Sequence, residues 1–232
     1  ARFALVPHGS LEPRDEKTVR CTDYASLVDA ARDYLQPSGN PEVREAALDV
    51  AVDPIGDFIK LTNGPWGFSI EQTRRALGLD RLQVVNDFTA LALSVPTLRR
   101  EELQSVGGGA GVAGMPLAVI GPGTGLGVSG LIPAGGRYVA LKGEGGHTAF
   151  SPMNQREADV LRWLQQRYDH VSTERVLSGM GLENLYQASC VLDGVPLQPL
   201  TPEKISAAAL ANSDGQCAAA VEMFCGILGT AA

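Results

Sequence analysis

The sequence predicts an α/β protein in two domains, and three observations carry the prediction. Short apolar, strand-like runs alternate with stretches whose apolar residues recur at helical spacing, the pattern of sheets layered with helices. The alternation is interrupted once, by the charged segment LRREELQ (98–104) and the glycine run GGGAG (107–111). A boundary is therefore expected near Pro96–Thr97, between a smaller domain (1–96) and a larger one (97–232). Finally, a 232-residue chain that is 44% hydrophobic and 19% charged has the composition of a globular protein and can bury roughly 70% of its unfolded surface.

Element by element, Arg2–Val6 reads as a strand, followed by the turn-rich PHGSLEPRDE and a second short strand. From Asp23, Leu27, Val28, Ala31, Tyr34 and Leu35 recur at helical spacing until Pro37. Ala46–Val52 and Asp57–Leu61 are strand-like runs separated by the turn DPIG. Ser69 followed three residues later by Gln72 is a capping-box signature, and Gly78 closes the helix. Arg81–Val85 reads as a strand and Phe88–Val95 as an apolar helix ended by Pro96. Beyond the boundary come strands at Pro116–Ile120, Gly127–Ile132 and Arg137–Leu141. Helices follow at Arg156–Tyr168, around Leu182–Cys190, from Thr201-Pro202 to Ala211, and from Asp214 onward.

A net charge of −7 gives no general attraction for nucleic acid or an anionic membrane, so a phosphate ligand must be held locally. No apolar run reaches the roughly 20 residues that span a bilayer, and no basic-then-apolar leader opens the chain. Cys21, Cys190, Cys217 and Cys225 form no CxxC pair and fit no zinc spacing, which points to reduced thiols in a cytoplasmic protein.

Four motifs bear chemistry. GPGTGLG (121–127) lies between two strand-like runs. Glycines there are expected to take positive φ, approach a ligand closely and aim successive N–H groups at an anion, with the Thr124 hydroxyl in support. A plain glycine-rich hairpin is equally compatible. No Lys-Ser/Thr follows, so it is not a Walker loop. VVNDFTA (84–90) delivers Asn86 and Asp87 to the C-terminal end of a strand, where open α/β sheets bind ligands. A carboxylate there can accept an alcohol proton, and it would also N-cap the helix that follows. GEGGHTAF (143–150) projects Glu144 and His147 from one tight loop, and STERVLSGMGL (172–182) adds Glu174. Two carboxylates, an imidazole and an Asn-Asp pair suit a polyhydroxylated ring. With no second histidine at ligand spacing, a protein metal site is not expected.

The strings LTNGPWGFS, VVNDFTA, GPGTGLG, GEGGH and ERVLSG-GL, in this order and at these separations, resemble the bacterial glucokinase family. The likeness runs from ARFAL to FCGILG. The related repressor and sugar-kinase family shares EGGH but follows it with a cysteine-rich zinc motif that is missing after His147. The resemblance implies a two-domain actin-like ATPase (ribonuclease H-like) fold with an interdomain cleft that closes on glucose. It also implies transfer of phosphate from ATP, with Mg²⁺, to the 6-hydroxyl of D-glucose. Asp87 would be the catalytic base and Asn86 a ligand for hydroxyls at the same end of the ring. Glu144, His147 and Glu174 would hold hydroxyls near the anomeric end. Gly121–Gly127, centred on Gly123, Thr124 and Gly125, would be the second phosphate-binding turn. Thr62 and Asn63 would lie on the sugar-facing edge of the small domain. A homodimer is expected from the same likeness.

Two departures accompany it. The family's opening GDxGGTN turn would precede ARFAL, and its adenosine-binding segment and last helix would follow ILGTAA, so both ends are expected to be cut and the isolated piece inactive. A kinase for another hexose and a non-catalytic sugar-binding protein are the competing readings.

Overall fold

The computed structural model describes residues 1–37, 39, 41–61, 64–107, 109 and 111–232; Thr62 and Asn63 lie outside them. The chain divides into two compact units, Ala1–Val112 and Ala113–Ala232.

In the first unit, β1 (Arg2–Leu5) pairs antiparallel with β2 (Arg14–Thr18), which starts inside the stretch expected to be a turn. A 3-10 turn, Cys21–Asp23, leads to α1 (Leu27–Leu35). Ser26 rather than Asp23 opens this helix, because its Oγ accepts the Asp29 N–H at 3.2 Å. Its buried face is Leu27, Ala30, Ala31 and Tyr34, the three-and-four spacing of an amphipathic helix. After β3 (Glu45–Val50), a hairpin of β4 (Phe58–Lys60) and β5 (Gly67–Ser69) runs directly into α2 (Ile70–Ala76). Ser69 caps α2 by accepting the Gln72 N–H at 3.0 Å, and Asp57 adds a second acceptor for the Glu71 N–H at 2.9 Å. Gly78, at φ 68°, ends the turn in a conformation that side chains avoid. The chain returns as β6 (Arg81–Asn86), parallel to β3, with Glu45 opposite Arg81 and Val50 opposite Asn86. From the C-terminal end of β6, α3 (Asp87–Ser94) begins at once. Leu27, Val50, Ile59, Trp66, Phe68 and Val84 form this unit's core.

The second unit opens with an antiparallel meander, β7 (Leu117–Pro122), β8 (Leu126–Ala134) and β9 (Arg137–Leu141). Gly135 and Gly136, both at positive φ (56° and 76°), make the two-residue β8–β9 turn whose twist suits a hairpin. Four helices follow: α4 (Gln155–Leu164), α5 (Gly179–Leu192), α6 (Pro202–Leu210) and α7 (Gly215–Ala231). Helix α5 packs against the other three and buries Leu182, Leu185, Tyr186, Ala188 and Cys190. Burying each such leucine contributes about 1.5–3 kcal/mol, so α5 anchors the segment immediately before it. Burial pushes the Cys217 thiol up to about 11, which leaves it an inert core group at neutral pH. Among the described residues no helix is long and apolar enough to cross a membrane.

Candidate active site

In the first unit the candidate residues are Asn86 and Asp87, at the point where β6 becomes α3. The side chain that caps the helix is Asn86, not Asp87: its Oδ1 accepts the N–H groups of Phe88 (3.0 Å) and Thr89 (3.2 Å). Its Nδ2 donates to Asp87 Oδ1 at 3.0 Å, and the same oxygen accepts the Phe88 N–H at 2.8 Å. Asp87 is thus held through one oxygen. Among the described residues Oδ2 has no hydrogen-bond donor and no lysine or arginine pairs with the carboxylate. The half-buried group is fixed in direction yet keeps an oxygen able to take a proton.

In the second unit, GPGTGLG is the turn between β7 and β8. Gly121 lies opposite Gly127 and Pro122 opposite Leu126, leaving Gly123–Gly125 as the loop. None of the four glycines adopts positive φ, contrary to expectation. At Gly125 the absence of a side chain serves close approach instead. A Cβ on Gly125 would overlap Glu174 Oε2 and lie 3.2 Å from Glu174 Cδ. Gly123 N–H donates to Gly125 O, and Gly123 O accepts the N–H of Gly179 at the start of α5, both at 2.8 Å. Among the described residues nothing accepts from the N–H groups of Thr124 and Gly125. Two adjacent free donors are what an anion-binding turn needs.

Glu144 and His147 sit on a short 3-10 turn, Gly145–His147, seated on the start of β8. A Cβ on Gly145 would lie 2.8 Å from Val128 Cβ, and one on Gly146 would overlap the Leu126 carbonyl oxygen. The adjacent glycines therefore let the loop rest on the strand. His147 Nε2 is 3.6 Å from Glu144 Oε2, and the two side chains are 63% and 68% exposed, available to a ligand.

Strand-like contacts tie this loop to the segment carrying Glu174. Phe150 N–H donates to Val171 O (3.0 Å), Thr173 N–H to Thr148 O (2.7 Å), and Ala149 bridges Ser172. Ser178, nearly fully buried, caps α5 by accepting the Gly181 N–H and donates its hydroxyl to Glu174 O at 2.8 Å. The Glu174 carboxylate then reaches the glycine turn, where Oε2 accepts the Leu126 N–H at 2.8 Å. His147 and Glu174 share the wall of an open groove of about 390 Å³ with Tyr168, Asp169, His170 and Arg175.

The structure thus brings Glu174, His147 and the glycine turn together and sets Glu144 beside His147, while Asn86 and Asp87 belong to the other unit. His170 and Arg175, groove residues, had not been singled out. His170 Nε2 contacts His147 O at 3.0 Å, and Arg175 stacks on Tyr168, its guanidinium carbon 4.3 Å from the ring centroid. In the sequence Arg175 lies within STERVLSG and His170 two residues before it, and neither carries a further signal. Among the described residues no three metal-ligating side chains cluster.

The chain is also similar to known proteins. All of residues 1–232 match the family model described as Glucokinase. The chain is 51% identical to the glucokinase of Chromobacterium violaceum, covering 100% of this chain and 66% of that protein. It is 48% identical to the glucokinase of Aromatoleum aromaticum, covering 100% and 70%. It therefore spans about two thirds of the length of these relatives. A solved glucokinase from an Antarctic psychrotroph superposes with a TM-score of 0.91 at 31% identity, covering 100% of this chain and 73% of that one. The mixed α/β architecture expected from the sequence is accordingly that of the glucokinases and their ATPase fold. The chain belongs to the glucokinase family.

Proposed function

We propose that the protein phosphorylates the 6-hydroxyl of D-glucose with ATP. One observation carries this reading: a turn with two unused N–H donors adjoins, through Glu174, a groove walled by a carboxylate and an imidazole. The first suits a phosphate and the second a ring of hydroxyls. Phosphoryl transfer needs mostly alignment and charge neutralisation, with little covalent chemistry from protein.

In this proposal the turn Gly121–Gly127 holds phosphate oxygens through the N–H groups of Thr124 and Gly125, helped by the Thr124 hydroxyl. Glu144, His147 and Glu174 bind hydroxyls near the anomeric carbon. Asn86 binds hydroxyls at the other end with the Nδ2 hydrogen not given to Asp87. Asp87 Oδ2 accepts the proton of the 6-hydroxyl as the sugar oxygen bonds to the γ-phosphorus of ATP and the bond from that phosphorus to the β-phosphate oxygen breaks, releasing ADP. Mg²⁺ would enter on the nucleotide phosphates, where it typically needs only one or two protein carboxylates and supplies charge neutralisation. Four free cysteines, two of them buried, support a reducing, cytoplasmic setting. A homodimer also belongs to the proposal, and sedimentation of the intact protein checks it.

The test is formation of glucose 6-phosphate from ATP and D-glucose by the intact protein, repeated with Glu144→Gln and His147→Ala. Each variant is expected to raise the KM for glucose about 10-fold or more, the scale of a hydrogen bond to a charged group, with the KM for ATP unchanged. Tight glucose binding without turnover would favour a sensor, and faster turnover of another hexose would reassign the substrate.

A further inference from the structure

The Glu174 carboxylate occupies a position that sugar binding alone does not require. The loop Gly123–Gly125 is clamped from both sides by one short stretch of chain. On one side Glu174 Oε2 takes the Leu126 N–H, and on the other Gly179 N–H, in the first turn of α5, donates to Gly123 O. That stretch cannot drift, because Ser178 bonds Glu174 O and caps α5, and Gly181 admits no side chain: a Cβ there would lie 2.5 Å from the Val176 carbonyl carbon. Moreover, Gly125 is bare of a side chain just where the carboxylate rests.

Building on the glucokinase reading, we propose that Glu174 is a positioning residue for the phosphate turn, so that a single carboxylate couples the sugar groove to the site for the nucleotide phosphates. Oε2 fixes the Leu126 N–H and with it the direction of the neighbouring Thr124 and Gly125 donors. Oε1 remains for a sugar hydroxyl. A hydroxyl bonded to Oε1 pins the carboxylate, and the pinned carboxylate holds the turn, so glucose tightens the grip on ATP without touching it. By linkage, ATP phosphates tighten glucose by the same factor. A negative carboxylate beside a phosphate site is electrostatically unfavourable, which marks the contact as geometric in purpose.

The experiment uses the intact protein with Glu174→Ala, Glu174→Gln, Gly125→Ala and the Gly125→Ala/Glu174→Ala double variant. Two quantities are read: hydrogen exchange of the Leu126 amide without ligands, and the KM for ATP at saturating D-glucose. Loss of the acceptor in Glu174→Ala is expected to speed Leu126 exchange and raise the KM for ATP, each by about 10-fold. Glutamine keeps an acceptor oxygen, so Glu174→Gln should stay within about threefold in both while still weakening glucose. Gly125→Ala should mimic Glu174→Ala by displacing the carboxylate, and in the double variant it should add nothing, the non-additivity expected of one shared contact. A Glu174→Ala protein with Leu126 exchange and ATP KM within about twofold of wild type overturns the proposal, as does full additivity. If Glu174→Ala does not fold, Gly125→Ala carries the same comparison. A wild-type protein that fails to phosphorylate glucose, with Leu126 exchange responding as described, removes the kinase reading and leaves the clamp standing.

Discussion

Gly146→Ala places one methyl group where the structure has no room for it. The added Cβ overlaps the Leu126 carbonyl oxygen and lies 3.0 Å from Leu126 Cβ and 3.2 Å from Leu126 C. These are backbone and near-backbone atoms at the start of β8, paired with Pro122, and no side-chain rotation clears them. Unbonded carbon and oxygen settle at roughly 3.3 Å or more, so the Gly145–His147 turn must lift by about an ångström. Overpacking of this kind costs about 1–3 kcal/mol. At about 2–4 °C per kcal/mol for a chain of this size, the melting temperature should fall by about 2–12 °C. Since Glu144 and His147 ride on that turn, a shift of about 1 Å should lower kcat/KM for glucose by about 10²-fold. Gly143→Ala is the matched control: a Cβ there meets nothing within 4 Å, and neither quantity should move. Thermal melting and steady-state kinetics on the two variants provide the assay. A Gly146→Ala protein that melts and turns over like Gly143→Ala would refute the claim that the adjacent glycines seat the Glu144–His147 loop on β8.

Asn86→Ala removes the cap of α3 and should destabilise the protein by about 1 kcal/mol; Asn86→Asp retains a capping oxygen and should recover most of that in denaturant melts, whatever either does to glucose binding. Hydrogen bonds from Arg74, then Arg75, hold the Glu71 carboxyl at about 2 against an ordinary 4.5. Because the folded value is depressed, the stabilisation is complete above pH 4.5 and is lost as pH falls toward 2. Glu71→Gln should therefore lose less stability than wild type across that acid range and run parallel to it near neutrality. Parallel curves throughout would contradict the assignment.

Legibility in the sequence followed the range of the interaction involved. Strand β9 was readable as Arg137–Leu141, and α2 was readable from its Ser69 cap and Gly78 stop, because both signals are local. Strand β5 is not legible, since Gly67-Phe68-Ser69 offers one large apolar residue and no alternation. Helix α5 starts at Gly179, three residues before the expected Leu182; glycine at 179 and 181 argues against helix by propensity and hides that first turn, whereas in the fold Val176 leaves no space for a side chain at 181. At the site, residue types and loop chemistry pointed to Asn86, Asp87, Glu144, His147, Glu174 and the glycine turn. What each touches was hidden. Only folding shows that Asn86 rather than Asp87 caps α3. The bond from Leu126 to Glu174 closes over 48 residues, a contact that no spacing rule reaches. Positive φ is the expectation for the glycines of 121–127, whereas the folded turn shows none there and uses the smallness of Gly125.

The most direct test of the account is glucose 6-phosphate formation by the intact protein against its Asp87→Asn variant, with glucose affinity measured alongside. Asparagine keeps an oxygen for the Phe88 N–H but removes the basic Oδ2. The prediction is a fall in kcat of at least about 10²-fold, the lower end of what a general base contributes, with glucose affinity within about threefold of wild type. A variant that retains kcat within about threefold would show that Asp87 is not the base.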